Sequence, residues 1–103
     1  MSMYLLLYRG INGPGDLVGK MEEEAERSRW QMEICNSLID GGSQTCGGTK
    51  ITLDDTEPLP EKPVTNYCII EASNRKEAVE LSRGAPDLYS GGSAEVYELD
   101  EEV

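Results

Sequence analysis

Hydrophobic positions along this chain change their period several times, and the changes mark out its elements. Residues 3–8 are an unbroken apolar run rich in Leu and Tyr, closed by Arg9 and Gly10, which predicts a strand. Asn12, Gly13, Pro14 and Gly15 follow as a loop, because Gly supplies positive φ and Pro fixes its own. From 20 to 39 the pattern turns helical. Met21, Ala25, Ser28, Met32, Cys35 and Ile39 share one narrow stripe, the face expected to cover a sheet. Trp30 and Ile34 then lie on the opposite side, with Leu38 between the faces. A Trp placed there needs cover, from the acidic tail or from a neighbouring subunit.

Gly41 and Gly42 are expected to end that helix in a left-handed conformation. Residues 45–53 offer a strand broken by Gly47 and Gly48, which predicts a bulge or a small hairpin. The segment 54–63 carries three of the five prolines and reads as loop. Residues 64–72 are the clearest strand. Asn74 with Glu77 three residues on fits a capping box, in which each side chain satisfies a backbone N–H at the helix start. This second helix buries Ala78, Val79 and Leu81 and ends at Gly84 before Pro86; residues 93–99 are the last strand. The order β-α-β-β-α-β predicts one α+β domain over residues 1–103, ferredoxin-like, with an antiparallel sheet and both helices on one face.

Period-2 parity sorts the strand residues onto two faces. Met3, Leu5 and Leu7 oppose Tyr4, Leu6 and Tyr8; Asn66, Cys68, Ile70 and Ala72 oppose Thr65, Tyr67, Ile69 and Glu71; Ala94 and Val96 oppose Glu95, Tyr97 and Leu99. Small and aliphatic sets suit close packing under helices. The remaining sets place Tyr4, Tyr8, Tyr67 and Tyr97, four of the five tyrosines, together on the helix-free face. Such a surface is too apolar for water and its hydroxyls want partners. A second copy of the sheet would cover it, giving a homodimer whose tyrosine-lined interior is a packed interface or a small-molecule pocket.

Composition narrows the chemistry. With 20 acidic against 9 basic residues the net charge is −11, which repels phosphate backbones and anionic lipid, so neither nucleic acid nor membrane is an expected partner. The acidic runs at Glu22–Glu26 and 54–61, and the tail from about 98, read as solvated faces. The opening run has no basic leader or cleavage site, so it is expected to be a strand and not a signal peptide or a membrane span. Cys35, Cys46 and Cys68 are odd in number and lack Cys-x-x-Cys spacing, which points to reduced thiols in the cytoplasm. The chain has no histidine, so the commonest metal ligand and the commonest general base are both missing. No metal and no cofactor are implied.

The stretch 66–99 carries a resemblance. Tyr67-Cys68-Ile69-Ile70-Glu71-Ala72, then Glu77-Ala78-Val79-Glu80-Leu81, then Gly84-Ala85-Pro86 and Gly91-Gly92-Ser93-Ala94-Glu95-Val96-Tyr97 resemble the YCII-related family, including its DGPF branch. That resemblance implies dimeric α+β barrels of ferredoxin-like subunits and a small-molecule site in a barrel cleft. In some members a His-Asp pair is proposed to be catalytic. The departures are specific. Leu59-Pro60-Glu61-Lys62-Pro63 stands where the branch has Asp-Gly-Pro-Phe, and Ala85-Pro86-Asp87 stands where relatives often have Cys-Pro-His. The His-Asp chemistry therefore does not carry over.

Two function classes follow. One is a non-catalytic barrel that binds a small ligand or a partner at Tyr4, Tyr8, Tyr67 and Tyr97. The other is a cofactor-independent enzyme that uses a carboxylate as acid/base, because burial raises a carboxyl pKa toward neutrality. Glu71 and Glu95, on the tyrosine face by parity, and Asp87, after the second helix, are its candidates. Cys68, expected to be buried and without a His to deprotonate it, is a poor nucleophile.

Overall fold

The computed structural model describes residues 1–10 and 17–100, and the side chains of these other than 17–23 and 90. The loop at 12–15, the place of Met21 on a helix face and the tail beyond Asp100 lie outside the described residues. In chain order the elements are β1 (Ser2–Arg9), α1 (Leu17–Glu33), β2 (Leu38–Asp40), β3 (Lys50–Ile51), β4 (Thr56–Glu57), β5 (Val64–Ala72), α2 (Arg75–Ser82), a 3-10 helix (Pro86–Ser90) and β6 (Ser93–Glu98). β2, β5, β1 and β6 form, in that order, a four-stranded sheet in which every neighbouring pair is antiparallel. This is the expected ferredoxin-like α+β arrangement. No helix among the described residues is long and apolar enough to cross a membrane.

The second strand of the sheet is not the expected one. β2 is only three residues long and sits inside the stretch that looks helical from sequence; α1 ends at Glu33. Gln44, just before residues 45–53, makes a single bridge to Asn66, and Lys50–Ile51 within that segment pairs with β4 in a separate ribbon. Gly42 accordingly closes the turn after β2, not the helix, at φ +67. A Cβ there would overlap the Tyr67 carbonyl oxygen of β5, so this turn requires glycine both for its conformation and for the close approach.

The helix-covered face holds the core: Tyr4, Leu6 and Tyr8 of β1, Cys68, Ile70 and Ala72 of β5, Trp30 and Ile34, Ala78 of α2, and Ala85. Ala94 and Val96 of β6 pack against it. The faces of β5 and β6 are those expected from parity, whereas β1 is reversed. Tyr4 and Tyr8 lie under the helices, and Met3, Leu5 and Leu7 face the other way. Volume explains the reversal. In register, Tyr8 stands between Asn66 and Ala94, and Leu6 between Cys68 and Val96. With Ala72, Ala78 and Ala85 also in this layer, the flanking residues are small, and two tyrosines fill the space they leave. The expected four-tyrosine surface does not exist; Tyr67 and Tyr97 share their face with leucines.

α1 is likewise turned. Trp30 is 4% exposed and Ile34 is buried, while Met32 is 75% exposed and Ala25, Ser28, Cys35 and Ile39 are also surface residues. Within the packed turns, a Trp and an Ile bury more apolar area than Ala25, Ser28 and Cys35 of the expected stripe. The indole also finds its acceptor inside, donating from Nε1 to Leu81 O at 2.9 Å. No cover from the tail is needed. At α2, Asn74 Oδ1 accepts from the Glu77 N–H at 2.8 Å, and Glu77 reaches back to the Ser73 N–H and hydroxyl, one residue earlier than a standard capping box.

Candidate ligand site

Four elements converge on one buried polar cluster beneath the helices. α1 supplies Arg27 one turn before Trp30, β5 supplies Asn66 and Cys68, β1 supplies Tyr8, and the 3-10 helix supplies Asp87. Arg27 Nη2 lies 2.9 Å from Asp87 Oδ1 and 3.0 Å from Oδ2, and Asn66 Nδ2 donates to Oδ2 at 2.7 Å. The two charged side chains are 13% and 6% exposed, so this ion pair is largely out of water. Pro86 opens the 3-10 helix, where its missing N–H costs nothing. At the far end the Gly92 N–H donates to Asp87 O at 3.1 Å. A Cβ on Gly92 would stand 2.6 Å from that oxygen and 2.5 Å from Arg9 O, so glycine is what lets the chain enter β6 while holding Asp87 in place.

Tyr8 meets Trp30 edge-on, with centroids 5.8 Å apart. Its hydroxyl, together with Arg27 Nε and Nη1, is buried without a hydrogen-bond partner among the described residues. Burial, then the neighbouring Cys68 and Asp87, push the Tyr8 phenol well above its usual range, with Arg27 pulling the other way; it stays a neutral donor. Burial first, and Asp40 next, push the Cys68 thiol up to about 12. Cys68 is therefore an unreactive thiol at neutral pH.

Two members of the cluster, Arg27 and Asn66, also line a pocket of about 270 Å³ between α1, the 41–44 turn and β5, together with Ser28, Gln31, Gln44 and Tyr67 among others; Tyr8, Cys68 and Asp87 lie behind that lining. Two hydrogen bonds fix the turn that forms its wall: the Gly42 N–H to Asp40 Oδ1 at 2.8 Å, and Gln31 Nε2 to Gly41 O at 3.1 Å. A larger depression of about 610 Å³ near Ser2, Arg75 and Tyr97 is lined by exposed groups, including the Arg75–Glu98 pair. It lacks any buried polar group to recognise a ligand.

The expected site residues divide between two faces. Asp87 and Tyr8 belong to the buried cluster, and Tyr4 is core, opposite Ile70. Glu71, Glu95, Tyr67 and Tyr97 lie on the open face with Met3, Leu5, Leu7 and Ile69, and Tyr67 also contributes to the lining of the pocket. There Glu95 accepts from Arg9 Nε at 2.6 Å and from the Tyr97 hydroxyl at 2.9 Å. The Arg9 hydrogen bond, then that of Tyr97, hold its carboxyl below the usual range, the wrong direction for a base poised near neutrality. Among the described residues no three Cys, Asp or Glu side chains are grouped to hold a metal.

Arg27 and Asn66 are the site residues that sequence reasoning misses. Both leave a signal. Arg27 shares a helical stripe with Trp30 and Ile34, and Asn66 is the polar member of the buried β5 set.

No family model matches the chain, and no curated protein matches it. Its fold is similar to that of the 5-chloro-2-hydroxyhydroquinone dehydrochlorinase from Burkholderia phenoliruptrix AC1100, solved in complex with 2,5-dihydroxybenzoquinone. The TM-score is 0.62, over 97% of this chain and 95% of that one, at 19% identity. At that identity the likeness establishes the α+β fold. The YCII-related resemblance remains with the residues that carry it.

Proposed function

We propose that this protein is a cytoplasmic homodimer that binds a small molecule in the pocket at Arg27, Asn66 and Asp87. The carrying observation is the pocket itself: Arg27 of α1 and Asn66 of β5 line it and are held from behind by the buried Asp87, whereas the acids of the open sheet face lie at its surface beside Met3, Leu5, Leu7 and Ile69. The solved dehydrochlorinase of similar fold holds a compact, oxygen-rich ring, which supports a ligand of that size for this architecture. Binding is favoured over acid/base catalysis by the residue types. Arg27 is permanently protonated, both Asp87 oxygens already accept hydrogen bonds, and Glu95 is held ionised by Arg9. The three free thiols suit a reducing compartment.

The dimer rests on β1. Its run of Tyr and Leu is apolar on both parities, as in strands covered on both faces, yet helices cover one face only. The described residues form a slab 18 Å in its thinnest dimension, which is two layers deep. A second copy set face to face would bury Leu5, Leu7, Ile69 and Tyr67. Light scattering at micromolar concentration should give a dimer for the wild type and a monomer for Tyr67→Asp; a monomeric wild type overturns the assembly. A thermal-shift screen of small acids, quinones and amides tests the pocket. Hits should vanish in Ser28→Trp, which fills the mouth from an exposed position, and hits that persist there overturn the assignment.

A further inference from the structure

Among the described residues the sheet has one long edge without a partner strand. β6 ends the order β2-β5-β1-β6 and is bonded by β1 on one side only. Register fixes which of its backbone groups point outward. The Leu99 N–H donates to Met3 O at 2.9 Å, which makes Met3 and Leu99 a hydrogen-bonded pair. Bonded and non-bonded pairs alternate along an antiparallel ladder, so Leu5–Tyr97, Leu7–Glu95 and Arg9–Ser93 are bonded pairs as well. The N–H and C=O groups of Ala94, Val96 and Glu98 therefore point away from β1, and no other backbone group among the described residues bonds them. Such an edge is usually blunted by Pro, by Lys or by a bulge. β6, Ser-Ala-Glu-Val-Tyr-Glu, contains neither residue, and its register with β1 runs without a shift from Tyr4–Glu98 to Arg9–Ser93. At the opposite edge β2 is only three residues long and its register shifts.

The depression of about 610 Å³ lies along this edge. Val96, Tyr97, Glu98, Leu99 and Asp100 line it in unbroken succession, with Ser2 and Arg75. It offers no buried polar group to a small molecule, yet Val96 and Glu98 are residues with outward backbone groups, which is what an extended chain pairs with. Alternation sets the chemistry of the two sides: Glu98 and Asp100 fall on one, Tyr97 and Leu99 on the other. Arg75 meets Glu98 at 3.4 Å as an exposed pair, so two acids against one base leave the lining net negative. We propose that the β6 edge docks an extended segment of another protein whose residues alternate basic and apolar, adding it to the sheet as a fifth strand. Its basic residues meet Glu98 and Asp100, and its apolar ones meet Tyr97 and Leu99. Charge disfavours self-pairing here, because a second copy brings a further net charge of −11 to an acidic groove. The groove shares no lining residue with the pocket at Arg27 and Asn66, so it stands or falls independently of that pocket.

The test is fluorescence anisotropy of a short labelled peptide of alternating lysine and valine, titrated with the full chain at fixed salt. It should bind, and its glutamate–valine counterpart should bind about tenfold more weakly or worse. The same lysine–valine peptide with an N-methylated backbone keeps every charge but cannot pair as a strand, and should not bind. Amide exchange locates the contact: the Val96 and Glu98 N–H groups should exchange fast in the free protein and slow when the peptide is added, while that of Tyr97, already bonded to β1, changes little. Val96→Pro removes an outward N–H that the ladder with β1 does not use and should weaken the peptide about tenfold. Glu98→Lys, at an exposed side chain, should remove the preference for lysine over glutamate and carries the test if Val96→Pro fails to fold. Equal binding of the N-methylated peptide, protection confined to residues outside β6, or wild-type behaviour of both variants reduces the contact to charge attraction and overturns the proposal. No binding of the lysine–valine peptide overturns it too, and if Val96→Pro then lowers the assembly mass in light scattering, the edge belongs to a second copy instead.

Discussion

Removing the Asp87 carboxylate should be among the most damaging single changes the fold can suffer. Asp87→Ala deletes the acceptor for Arg27 Nη2 and Asn66 Nδ2 together, in a place where the arginine side chain is 13% exposed. Arg27 would then hold all five of its donors without a protein acceptor in the cluster, a buried charge with nothing to answer it. Breaking a buried pair from one side costs about 3–5 kcal/mol, and the stranded Asn66 amide adds about 1 kcal/mol or more. Against a total of about 5–15 kcal/mol for a domain, about a quarter or more of the stability would go. The usual discount for exposed pairs does not apply, because neither partner reaches far into solvent. Asp87→Asn retains one acceptor and should lose less, about 1–3 kcal/mol. The double variant Arg27→Met with Asp87→Leu should regain most of the loss, as apolar replacements of buried pairs often do. Urea denaturation followed by the fluorescence of the single, buried Trp30 reads these differences directly. It should be run with reductant for the free cysteines and at one protomer concentration, because association adds to apparent stability. A loss under about 1 kcal/mol for Asp87→Ala, the range of a surface pair, would refute the buried-cluster reasoning.

Other expectations test separate parts of the structure. Gly42→Ala should destabilise by more than about 2 kcal/mol, combining the left-handed backbone cost with the overlap against Tyr67 O, and a wild-type midpoint would contradict the turn. Glu95 should titrate below the usual carboxylate range by carbon-detected NMR and move up in Arg9→Gln; since its folded value is depressed, its contribution is present above the unfolded value near 4.3 and lost as pH falls through the lowered one. Stability should decline as pH rises from about 8.5 toward the Cys68 value of about 12, because the unfolded thiol ionises while the folded one does not. Cys68→Ala should flatten that decline relative to wild type. At pH 8 a thiol reagent should modify Cys35 and Cys46, which are exposed, and spare the buried Cys68 until the protein is unfolded; three fast thiols would contradict the core.

The element order, the position of β5 and β6 and their buried parity are all legible in the sequence, since alternation there is strong: Asn66, Cys68, Ile70 and Ala72 contrast plainly with Thr65 and Glu71. β1 defeats the same logic because both of its parities are apolar. Periodicity then has no amplitude, and only the small size of the cross-strand neighbours decides which set goes under the helices. α1 fails for a different reason. The stripe through Ala25, Met32 and Ile39 is the more apolar by residue type, and the one with Trp30 and Ile34 includes the charged Arg27. β2 is too short to interrupt a helical pattern that in the sequence runs on to Ile39. Of the site, Asp87 is legible from its place after the second helix and before the last strand. Its partner Arg27 is hidden in an acidic run that reads as solvated surface, and only the tertiary pairing with Asp87 shows that its charge points inward.

Where a ligand sits is the most direct test, and an amide and side-chain NMR titration of the labelled protein with a hit from the thermal-shift screen answers it. Shift changes should gather at the Asn66 side-chain amide and the backbone of Gly42, Ser43 and Gln44, which line the pocket, and be lost in Ser28→Trp. Changes confined to Met3, Leu5, Leu7 and Tyr97 would place the ligand on the open sheet face and contradict the pocket.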